Sequence, residues 1–406
     1  MEMTKSTFII KSLAGNTEKC IGQVPVGDFF TPEYYALEKE RIFKKSWMRI
    51  SLEKEIPNVG DYVVKELEVC DTSLLIVRGR DMKVRAFHNV CSHRLNRVAY
   101  QTSGNTKTGF RCRYHSWTYG LDGKLTAILE EHRFAGLKRE EQGLTEVGCE
   151  TWEGFIFVNV DPQRTQTLRE YLGEEIYNGF GNFFPHRARI GRVSAIMHAN
   201  WKVCLDAFVE TYHFSTVHAA SASNIATSRE NPNGRIDALR LHPKHRIVSA
   251  VSNGEHTPTY AEQLAARFSN HATVAPDLTK AGQGLPPQVN PLKLPDWFSD
   301  ILVVFPMSNI QPLGGFFITQ DYWPISHDKT RWELSIYMDT LNNAADDVVA
   351  EYNRIYLRDA IREDLMNLAM VQSNLFSGAK QYQFLGNMEP MVGHSYQAVA
   401  DQIGHG

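Results

Sequence analysis

The sequence predicts an α+β protein with two domains. Between residues 48 and 161, short strand-like runs such as DYVVKEL, SLLIVRG and GFIFVNV are separated by Gly, Asp and Asn, which indicates a β-rich domain. Three further strand-like runs, ILVVFP, GGFFITQDYWP and RWELSIYMD, precede a periodic segment from Ala344 to Phe376 that predicts a long helix. A sheet flanked by such a helix forms an α+β layer.

Composition excludes several classes of protein. A chain of 406 residues is long enough for two cores, and 43% hydrophobic with 22% charged residues is ordinary for a globular protein. The net charge of −3, without a basic block, argues against nucleic acid as a partner. No apolar run approaches the ~20 residues that span a bilayer, and the N-terminus does not resemble a signal peptide. We therefore expect a cytoplasmic protein with no membrane partner and with reduced cysteines.

The order of elements along the chain suggests the domain boundaries. Residues 1–45 contain a helical pattern, TPEYYALEKERIFKKSW, and we assign them to the second domain as its N-terminal helical part. Residues 46–162 form the β-rich domain, and residues 163–406 form the rest of the second domain. Within the latter, TLREYLGEEIYNGF predicts a helix, RVSAIMHANWKV a strand and CLDAFVETYHFSTVH a helix. Residues 219–300, rich in Ser, Asn, Pro and Gly, predict helices and loops that form a lid.

Two short clips of metal-binding residues lie in the β-rich domain. Cys91 and His93 form a C-x-H clip, and after eighteen intervening residues Cys112 and His115 form a C-x-x-H clip. Two thiolates and two imidazoles match a [2Fe–2S] centre in which two His replace two Cys on one iron. Because imidazole is neutral where thiolate is charged, such a centre has a higher reduction potential than an all-Cys cluster.

Two other interpretations of these clips remain open from the residues alone. The same four ligands could bind Zn²⁺ tetrahedrally, which would make this domain a structural or interaction module. Alternatively, the protein could be an electron carrier, but a carrier of this kind needs only about one domain of ~100–120 residues. Trp117 and Tyr114 beside the second clip favour a dry redox centre over zinc.

A second set of candidate ligands lies in the second domain. His213 and His218 are five residues apart, which places them about 140° apart on a straight helix. They can share a metal only if the helix ends or bulges after His213. Asp364, in the long C-terminal helix, is the best candidate for the carboxylate that completes a facial triad for non-haem Fe(II). The alternative for Asp364 is a solvated acidic patch with Asp359 and Glu363.

Together these motifs resemble a known family. C-x-H-R followed by C-x-Y-H-x-W resembles the Rieske domain of ring-hydroxylating, Rieske-type non-haem iron oxygenases. N-W-K followed by E-x-Y-H-x-x-x-x-H resembles the mononuclear iron motif of their α subunits, and E-D with Gln372 eight residues after the Asp resembles the place of the carboxylate ligand. The resemblance covers Pro32 to Gln372. It implies a Rieske β-domain, antiparallel and sandwich-like, with a helix-grip (START-like) catalytic domain.

The resemblance also implies roles for individual residues. Cys91 and Cys112 would hold one iron of a Rieske [2Fe–2S] cluster, and His93 and His115 the other. His213, His218 and Asp364 would hold the catalytic mononuclear Fe(II).

Glu210 would bridge His213 to a cluster histidine of a neighbouring subunit as part of the electron-transfer route. Many members have Asp at this position, and Glu occurs in the choline- and carnitine-oxidising branch. Leu95, where a small residue is usual, is expected to alter only local packing.

The implied function is that of a bacterial terminal oxygenase. It would use O₂ and externally supplied electrons to hydroxylate or dihydroxylate a mid-sized organic substrate, with an aromatic substrate as the main expectation. The alternatives are oxidative N- or O-dealkylation and oxidation of a quaternary amine. Binding of a quaternary amine would need aromatic faces around the iron, for which Phe208, Phe214, Tyr322 and Trp323 are candidates.

The remaining expectations concern partners and Asp206. No G-x-G-x-x-G fingerprint follows a strand, so electrons would come from a separate NAD(P)H-dependent reductase, perhaps through a ferredoxin. The resemblance implies a head-to-tail homotrimer, with or without β subunits.

Asp206 is seven residues before His213, two turns along a continuous helix, so we expect it near the substrate pocket or the electron path. A solvated surface position is the alternative for Asp206.

Overall fold

The chain folds into two compact units in a computed structural model that describes residues 12–221, 223–229, 231, 234–268, 285–313, 316–339 and 341–404. Lys39–Gly173 form a β unit, and Met1–Glu38 with Glu174–Gly406 form an α+β unit. The predicted boundaries at residues 46 and 162 fall inside the β unit, because the segments just outside them, a π-helix and a short α-helix, pack on this unit. None of the described helices is long and apolar enough to cross a membrane.

The β unit is built from antiparallel strands. Seven strands form one sheet, and its order, from one edge to the other, is Met48–Leu52, Phe155–Asn159, Glu146–Trp152, Val84–His88, Thr72–Arg78, Asp61–Leu67 and Ser103–Asn105. A second sheet contains three short strands, Leu125–Ala127, Thr118–Tyr119 and Phe110–Arg111. Two helices border the unit, Lys39–Phe43 and Leu168–Leu172. Cys91 and Cys112 lie in the core that these sheets enclose.

The α+β unit contains one eight-stranded sheet. Its order is Ser12–Ala14, Ile236–Leu241, Arg246–Val251, Trp297–Val304, Ser308–Pro312, Phe316–Ser326, Lys329–Met338 and Ala188–Met197, antiparallel except at the first pair. Gly22–Pro25 and Tyr382–Leu385 form a separate two-stranded sheet. In the described part of this unit the α-helices are Pro32–Glu38, Glu174–Gly179, Trp201–Asp206, Phe214–Val217, Ser223–Ala226, Tyr260–Phe268, Ala344–Leu375 and Pro390–Ile403.

The long helix, Ala344–Leu375, agrees with its prediction within a residue. Its first turn is capped by Asn343, whose side chain accepts hydrogen bonds from the backbone N–H groups of Ala345 and Asp346. Buried residues recur along it at helical spacing, including Leu357, Ile361, Asp364 and Leu368. Asp364 therefore lies on the face of the helix that is directed into the unit.

The prediction for residues 219–300 was wrong in part. This segment contains two strands of the main sheet, Ile236–Leu241 and Arg246–Val251, besides the helix Tyr260–Phe268. Both strands are buried along their whole length, so they lack the alternation of polar and apolar residues that marks a half-exposed strand. Their buried charged residues, such as Arg240 and Arg246, interrupt the apolar pattern as well. Residues 269–284 of the predicted lid lie outside the described residues.

Candidate functional site

The two cysteines of the first set lie in tight loops of similar design. In one loop the backbone N–H of Leu95 donates to the carbonyl of Cys91 at 3.0 Å, and in the other Ser116 N–H donates to Cys112 at 3.0 Å. Leu95 and Ser116 both have positive φ, +58° and +62°. Both cysteines are almost fully buried. Two similar loops thus present one thiol each from the core of the β unit.

The histidines of the two clips lie side by side. The ring centroids of His93 and His115 are 4.5 Å apart, and His93 stacks on Trp117 at 4.9 Å. The Nδ1 atoms of both imidazoles are buried and have no hydrogen-bond partner among the described residues. A buried nitrogen without a partner is costly, and a metal ion is one group that would satisfy both. The residues present therefore fit a cluster held by two thiolates and two imidazoles.

The spacing of these ligand atoms argues against zinc. Four atoms around one Zn²⁺ at 2.0–2.3 Å would all lie within about 4 Å of one another. Among the described residues, only His213, His218 and Asp364 bring three His, Cys or carboxylate ligand atoms within 4.8 Å. The atoms of Cys91, His93, Cys112 and His115 are spread more widely, as a centre with two metal ions requires.

Tyr119 is a functional candidate that sequence reasoning missed. Its hydroxyl oxygen lies 3.2 Å from Cys91 Sγ and accepts a hydrogen bond from the backbone N–H of Ser92 at 2.9 Å. Because the oxygen accepts from Ser92, its proton is free to be donated to a thiolate at Cys91. Tyr119 lies two residues after Trp117, and the spacing alone gave no signal of this contact.

The second set is assembled by a break in the helix. The predicted strand ends at Met197, and the side chain of Asn200 caps a helix that runs only from Trp201 to Asp206. A four-residue helix, Phe214–Val217, then lies between His213 and His218, which are its two flanking residues. The predicted single helix over residues 204–218 is therefore wrong. The expected end or bulge just after His213 is not seen either, because the interruption lies before His213, between Asp206 and His213.

Three ligand atoms converge at this point. The Nε2 atoms of His213 and His218 are 3.3 Å apart, and Asp364 Oδ1 lies 3.3 Å from the first and 3.0 Å from the second. His218 and Asp364 are buried, and His213 is partly exposed. Two imidazole nitrogens and one carboxylate oxygen on one side of a common point leave further coordination positions open, the arrangement of a facial triad.

Carboxylates orient both imidazoles through their second nitrogen. Glu210 is in contact with Nδ1 of His213, and Glu363 Oε2 lies 3.0 Å from Nδ1 of His218. With Nδ1 donating its proton to a carboxylate, Nε2 has a free lone pair to bind a metal. Glu363 also accepts a hydrogen bond from Ser221, so it is part of the site rather than of a solvated acidic patch. In the sequence, the only indication of this role was that Glu363 directly precedes Asp364.

The electrostatics of this site favour a cation. Burial alone would lower the pKa of both imidazoles, but the carboxylates outweigh it. Hydrogen bonds with Asp364 and Glu210 raise the pKa of His213 to about 9, and Asp364 and Glu363 raise the pKa of His218 above its ordinary value. The same carboxylates would attract a divalent metal ion, which would displace the extra protons from the two imidazoles.

An apolar cavity adjoins the three ligand residues. The long helix contributes Leu357, Ala360 and Ile361 to its wall, on the same face as Asp364. Of the four aromatic candidates in the sequence, Phe208 and Phe214 line the cavity, whereas Tyr322 and Trp323 are not among the described residues that do. Several residues of the predicted lid segment also take part, namely Ile225, Ala226, Ala250, Phe298 and Ser299.

Asp206 shares a cavity with Glu210, His213 and Asp364, so only the helical stripe that led to its selection was predicted wrongly, and its role stays a prediction. The helix ends at Asp206, so the predicted stripe shared with Glu210 and His213 does not exist. Asp206 accepts a hydrogen bond from the Tyr396 hydroxyl at 2.7 Å and lines a second cavity, together with Glu210 and Glu389. It is not among the described residues that line the apolar cavity. Burial raises the pKa of Asp206 to about 7.

Comparison with protein-family models gives two matches. A model of the ring hydroxylating alpha subunit (catalytic domain) matches residues 185–405, and a model of the Rieske [2Fe-2S] domain matches residues 46–138. The first match covers more than half of the chain and contains His213, His218 and Asp364. The second contains all four residues of the two clips.

The individual relatives include both a monooxygenase and a dioxygenase. The chain is 30% identical over 209 residues to the carnitine monooxygenase oxygenase subunit of Escherichia coli (strain K12), which covers 51% of this chain and 54% of that protein. It is 34% identical over 197 residues to the large oxygenase component of the naphthalene 1,2-dioxygenase system of Ralstonia sp, covering 47% and 43%. The chain thus matches about half the length of the curated relatives.

Solved structures extend the similarity over almost the whole chain. A quaternary ammonium Rieske monooxygenase in complex with L-carnitine superposes with a TM-score of 0.71 over 96% of this chain and 99% of that chain, at 21% identity. Naphthalene 1,2-dioxygenase from Rhodococcus sp. bound to indole gives a TM-score of 0.71 over 94% of each chain, at 20% identity. At this level of identity the superpositions establish the fold.

Proposed function

The chain belongs to the family of ring-hydroxylating oxygenase α subunits, and from this premise we propose that it is the terminal oxygenase of a multicomponent system that hydroxylates or dihydroxylates a mid-sized organic substrate. Membership confirms the predicted fold class, a Rieske domain with a catalytic domain of this family. It also confirms the two predicted cofactors, a Rieske [2Fe–2S] cluster and a mononuclear iron.

One observation supports the activity above all others. The ligand atoms of His213, His218 and Asp364 meet beside an apolar cavity, in a chain that also has a Rieske domain. An electron carrier needs only the cluster, and a structural metal site is normally closed by four protein ligands. Three ligands next to a cavity are what a metal that reacts with O₂ and an organic molecule requires.

Each residue of the site has a definable task. Glu210 and Glu363 hold the Nδ1 protons of His213 and His218, which fixes the imidazole tautomers and keeps Nε2 available for iron. Asp364 supplies the anionic ligand. When bound, the iron supplies a site for O₂ activation and the cluster supplies single electrons. The apolar walls of the cavity position the substrate and exclude water from it.

The experiment that tests the activity separates the two metal sites. His213→Ala and Asp364→Ala are expected to remove the mononuclear iron while the visible spectrum of the cluster and its acid-labile sulfide remain. Product formation from a substrate panel, driven by a generic reductase, should then fall to background. Turnover that persists in either variant would contradict the assignment of these ligands.

Electrons reach the protein from a separate reductase, directly or through a ferredoxin. This follows from the lack of a dinucleotide-binding fingerprint in the sequence. It is tested by mixing the purified protein with NADH alone and with NADH plus a reductase. Reduction of the cluster by NADH alone would overturn the proposal.

Copies of the chain assemble head to tail in a ring of three, with the clips of one copy next to Glu210 of another. Leu95, in the loop of the first clip, has a φ of +58° and is 77% exposed. Tyr114, beside His115 of the second clip, is 52% exposed. Tyr212, two residues after Glu210, is 57% exposed. Apolar and aromatic side chains exposed beside both metal sites support a protein contact there. A monomer by light scattering that is active with added reductase would refute the ring.

Oxidation of a quaternary amine is the second candidate. It is supported by the 30% identity to a carnitine monooxygenase oxygenase subunit and by Glu210 in place of the Asp found in many members of the family. Product analysis with L-carnitine and with naphthalene separates the two candidates.

A further inference from the structure

The chemistry of the apolar cavity restricts the kind of substrate it accepts. Among the described residues that line it, none is Lys or Arg, and the only carboxylates are Glu210 and Asp364 of the metal site. The remaining polar side chains of the wall are uncharged, and two of them are the glutamines Gln311 and Gln320. A carboxylate or sulfonate on a substrate would have no cationic partner in this wall, and burial of an unpaired charge is strongly unfavourable.

The orientation of the Gln320 side chain in this wall is fixed by a hydrogen bond. The indole Nε1–H of Trp332 donates a hydrogen bond to Gln320 Oε1 at 3.0 Å. An indole nitrogen is a donor only, so the oxygen of the amide must face Trp332 and the NH₂ group must face away from it. Trp332 is itself held in place by stacking against Phe208, with ring centroids 6.4 Å apart and planes 12° from parallel.

The amide nitrogen of Gln320 has no hydrogen-bond partner in the described part of the chain. Gln320 is 1% exposed and lies in the strand Phe316–Ser326, where its side chain contributes to the cavity wall beside Ile318. The nitrogen is not among the fully buried side-chain atoms that lack a partner, so it is accessible from the cavity and can donate a hydrogen bond to an acceptor on a ligand. The side chain is therefore a fixed, unpaired donor in a wall whose other residues are mostly apolar.

We propose that Gln320 selects for substrates that are uncharged and largely apolar and that bear one oxygen acceptor, such as a ketone carbonyl, which accepts a hydrogen bond from its amide. This assignment rests on the proposed function of the site as an oxygenase centre. Trp332 is the positioning residue, since it sets which end of the amide the substrate meets. The chemistry differs from that of carnitine, which carries both a quaternary ammonium and a carboxylate.

The test uses matched pairs of probes that differ only in the acceptor. Acetophenone is compared with ethylbenzene, and fluorenone with fluorene, by equilibrium binding to the iron-loaded protein and by product formation with a generic reductase. The ketone of at least one pair should bind about tenfold more tightly than its hydrocarbon, which corresponds to about 1.4 kcal/mol. L-carnitine should not compete with the ketone.

Variants of nearly unchanged size assign the preference to one side chain. Gln320→Met removes the donor and should abolish the preference for the ketone, while binding of the hydrocarbon stays within twofold. Gln311→Met, in the same wall, is the matched control and should retain the preference. Trp332→Phe lets the amide rotate and should reduce the preference without removing it.

The outcomes distinguish this inference from the proposed function. A ketone preference that survives Gln320→Met, or that disappears in Gln311→Met alone, overturns the role of Gln320. Tighter binding of L-carnitine than of either ketone, or no measurable binding of any neutral probe, overturns the substrate class. If the ketones bind selectively through Gln320 but no oxidised product forms, the inference stands and the proposed activity fails.

Discussion

Lys202 and Glu38 form an ion pair that is almost completely withdrawn from solvent, with side-chain exposures of 1% and 0%. Trp201 Nε1–H donates to the other oxygen of the same carboxylate at 2.9 Å. Asn200, the first residue of N-W-K, caps the helix that Trp201 begins, and its own backbone N–H donates to Gln372 Oε1 at 2.7 Å. The N-W-K motif thus joins the helix before His213 to the long helix that carries Asp364.

Removing one partner of this pair should be strongly destabilising. Lys202→Met leaves Glu38 buried without its counter-charge, and we expect a loss of about 3–5 kcal/mol in the free energy of unfolding. The double variant Lys202→Met with Glu38→Leu removes both charges and should recover much of that loss. Chemical denaturation of the three proteins measures both effects. Equal stability of the single and double variants would show that the pair does not act as a unit.

The ligands could be predicted from the sequence because their spacing reflects chemistry. Cys91, His93, Cys112 and His115 come in two short clips that few other functions require, and both match a Rieske domain. For His213 and His218 the spacing set a condition, namely an end or bulge of the helix just after His213, whereas the observed break lies before His213. At this break Thr211 Oγ1 donates a hydrogen bond to the carbonyl of Gly234. The two residues are 23 positions apart, so no local sequence pattern predicts the contact.

Side chains whose role depends on tertiary contacts could not be found in this way. Tyr119 reaches Cys91 and Gln320 reaches Trp332 across separate strands or loops, and neither pair has a characteristic spacing. Similarly, the strands Ile236–Leu241 and Arg246–Val251 were missed because their charged residues are buried and look like loop residues in sequence. A charged residue in a sequence is normally taken as exposed, so a strand that buries one is easily missed.

Loss of the carboxylate behind His218 should weaken iron binding without affecting the cluster. Glu363→Ala removes the hydrogen-bond partner of His218 Nδ1, and we expect the affinity for the mononuclear iron to fall by about 10–100-fold. Glu363→Gln keeps an acceptor and should lie between this variant and the wild type. Asp359→Asn, on the same helix but paired with Arg358 at the surface, is the control. Competition with a chelator measures the affinity, and equal affinities for all four proteins would rule out this role.

The hydroxyl of Tyr119 should tune the cluster. A hydrogen bond donated to the thiolate of Cys91 stabilises the reduced cluster, which carries more negative charge, more than the oxidised one. Tyr119→Phe should therefore lower the reduction potential. A hydrogen bond of about 1 kcal/mol corresponds to a shift on the order of 40 mV for one electron. Spectroelectrochemical titration measures the shift, with Tyr171→Phe as a control at a buried tyrosine whose hydroxyl interacts with Ser46. Equal potentials in wild type and Tyr119→Phe would exclude the contribution.

Asp206 should make the stability of the protein depend on pH. Burial raises its pKa from 3.8 to about 7, against the opposing effects of Tyr396, Arg246 and Lys202. The native state therefore holds this proton more tightly than the unfolded chain, and the stability it contributes is fully present below pH 3.8 and is lost as the pH rises through about 7.

Between pH 5 and pH 8 this single group should remove about 2–3 kcal/mol from the free energy of unfolding. Asp206→Asn is neutral at both values and should lose correspondingly less over the same interval. Asp401→Asn, which alters an exposed residue bonded to Gln397, should behave like the wild type. If Asp206→Asn and the wild type lose the same stability between the two pH values, the carboxyl group does not titrate in this range.

Glu210 should affect electron transfer rather than metal binding. Its carboxylate contacts Nδ1 of His213 and also lines the second cavity. Glu389 lines the same cavity but forms no ion pair with His213 or His218. Glu210→Gln keeps an oxygen that can accept from His213 Nδ1–H, so the iron content should not change. The amide has no charge and binds a histidine of a neighbouring copy less strongly, so oxidation of the reduced cluster by O₂ and substrate should slow at least tenfold in a single turnover.

Glu389→Gln is the matched control and should react at the rate of the wild type. An unchanged rate in Glu210→Gln, with both metals bound, would mean that the electron takes a route that does not pass through this residue.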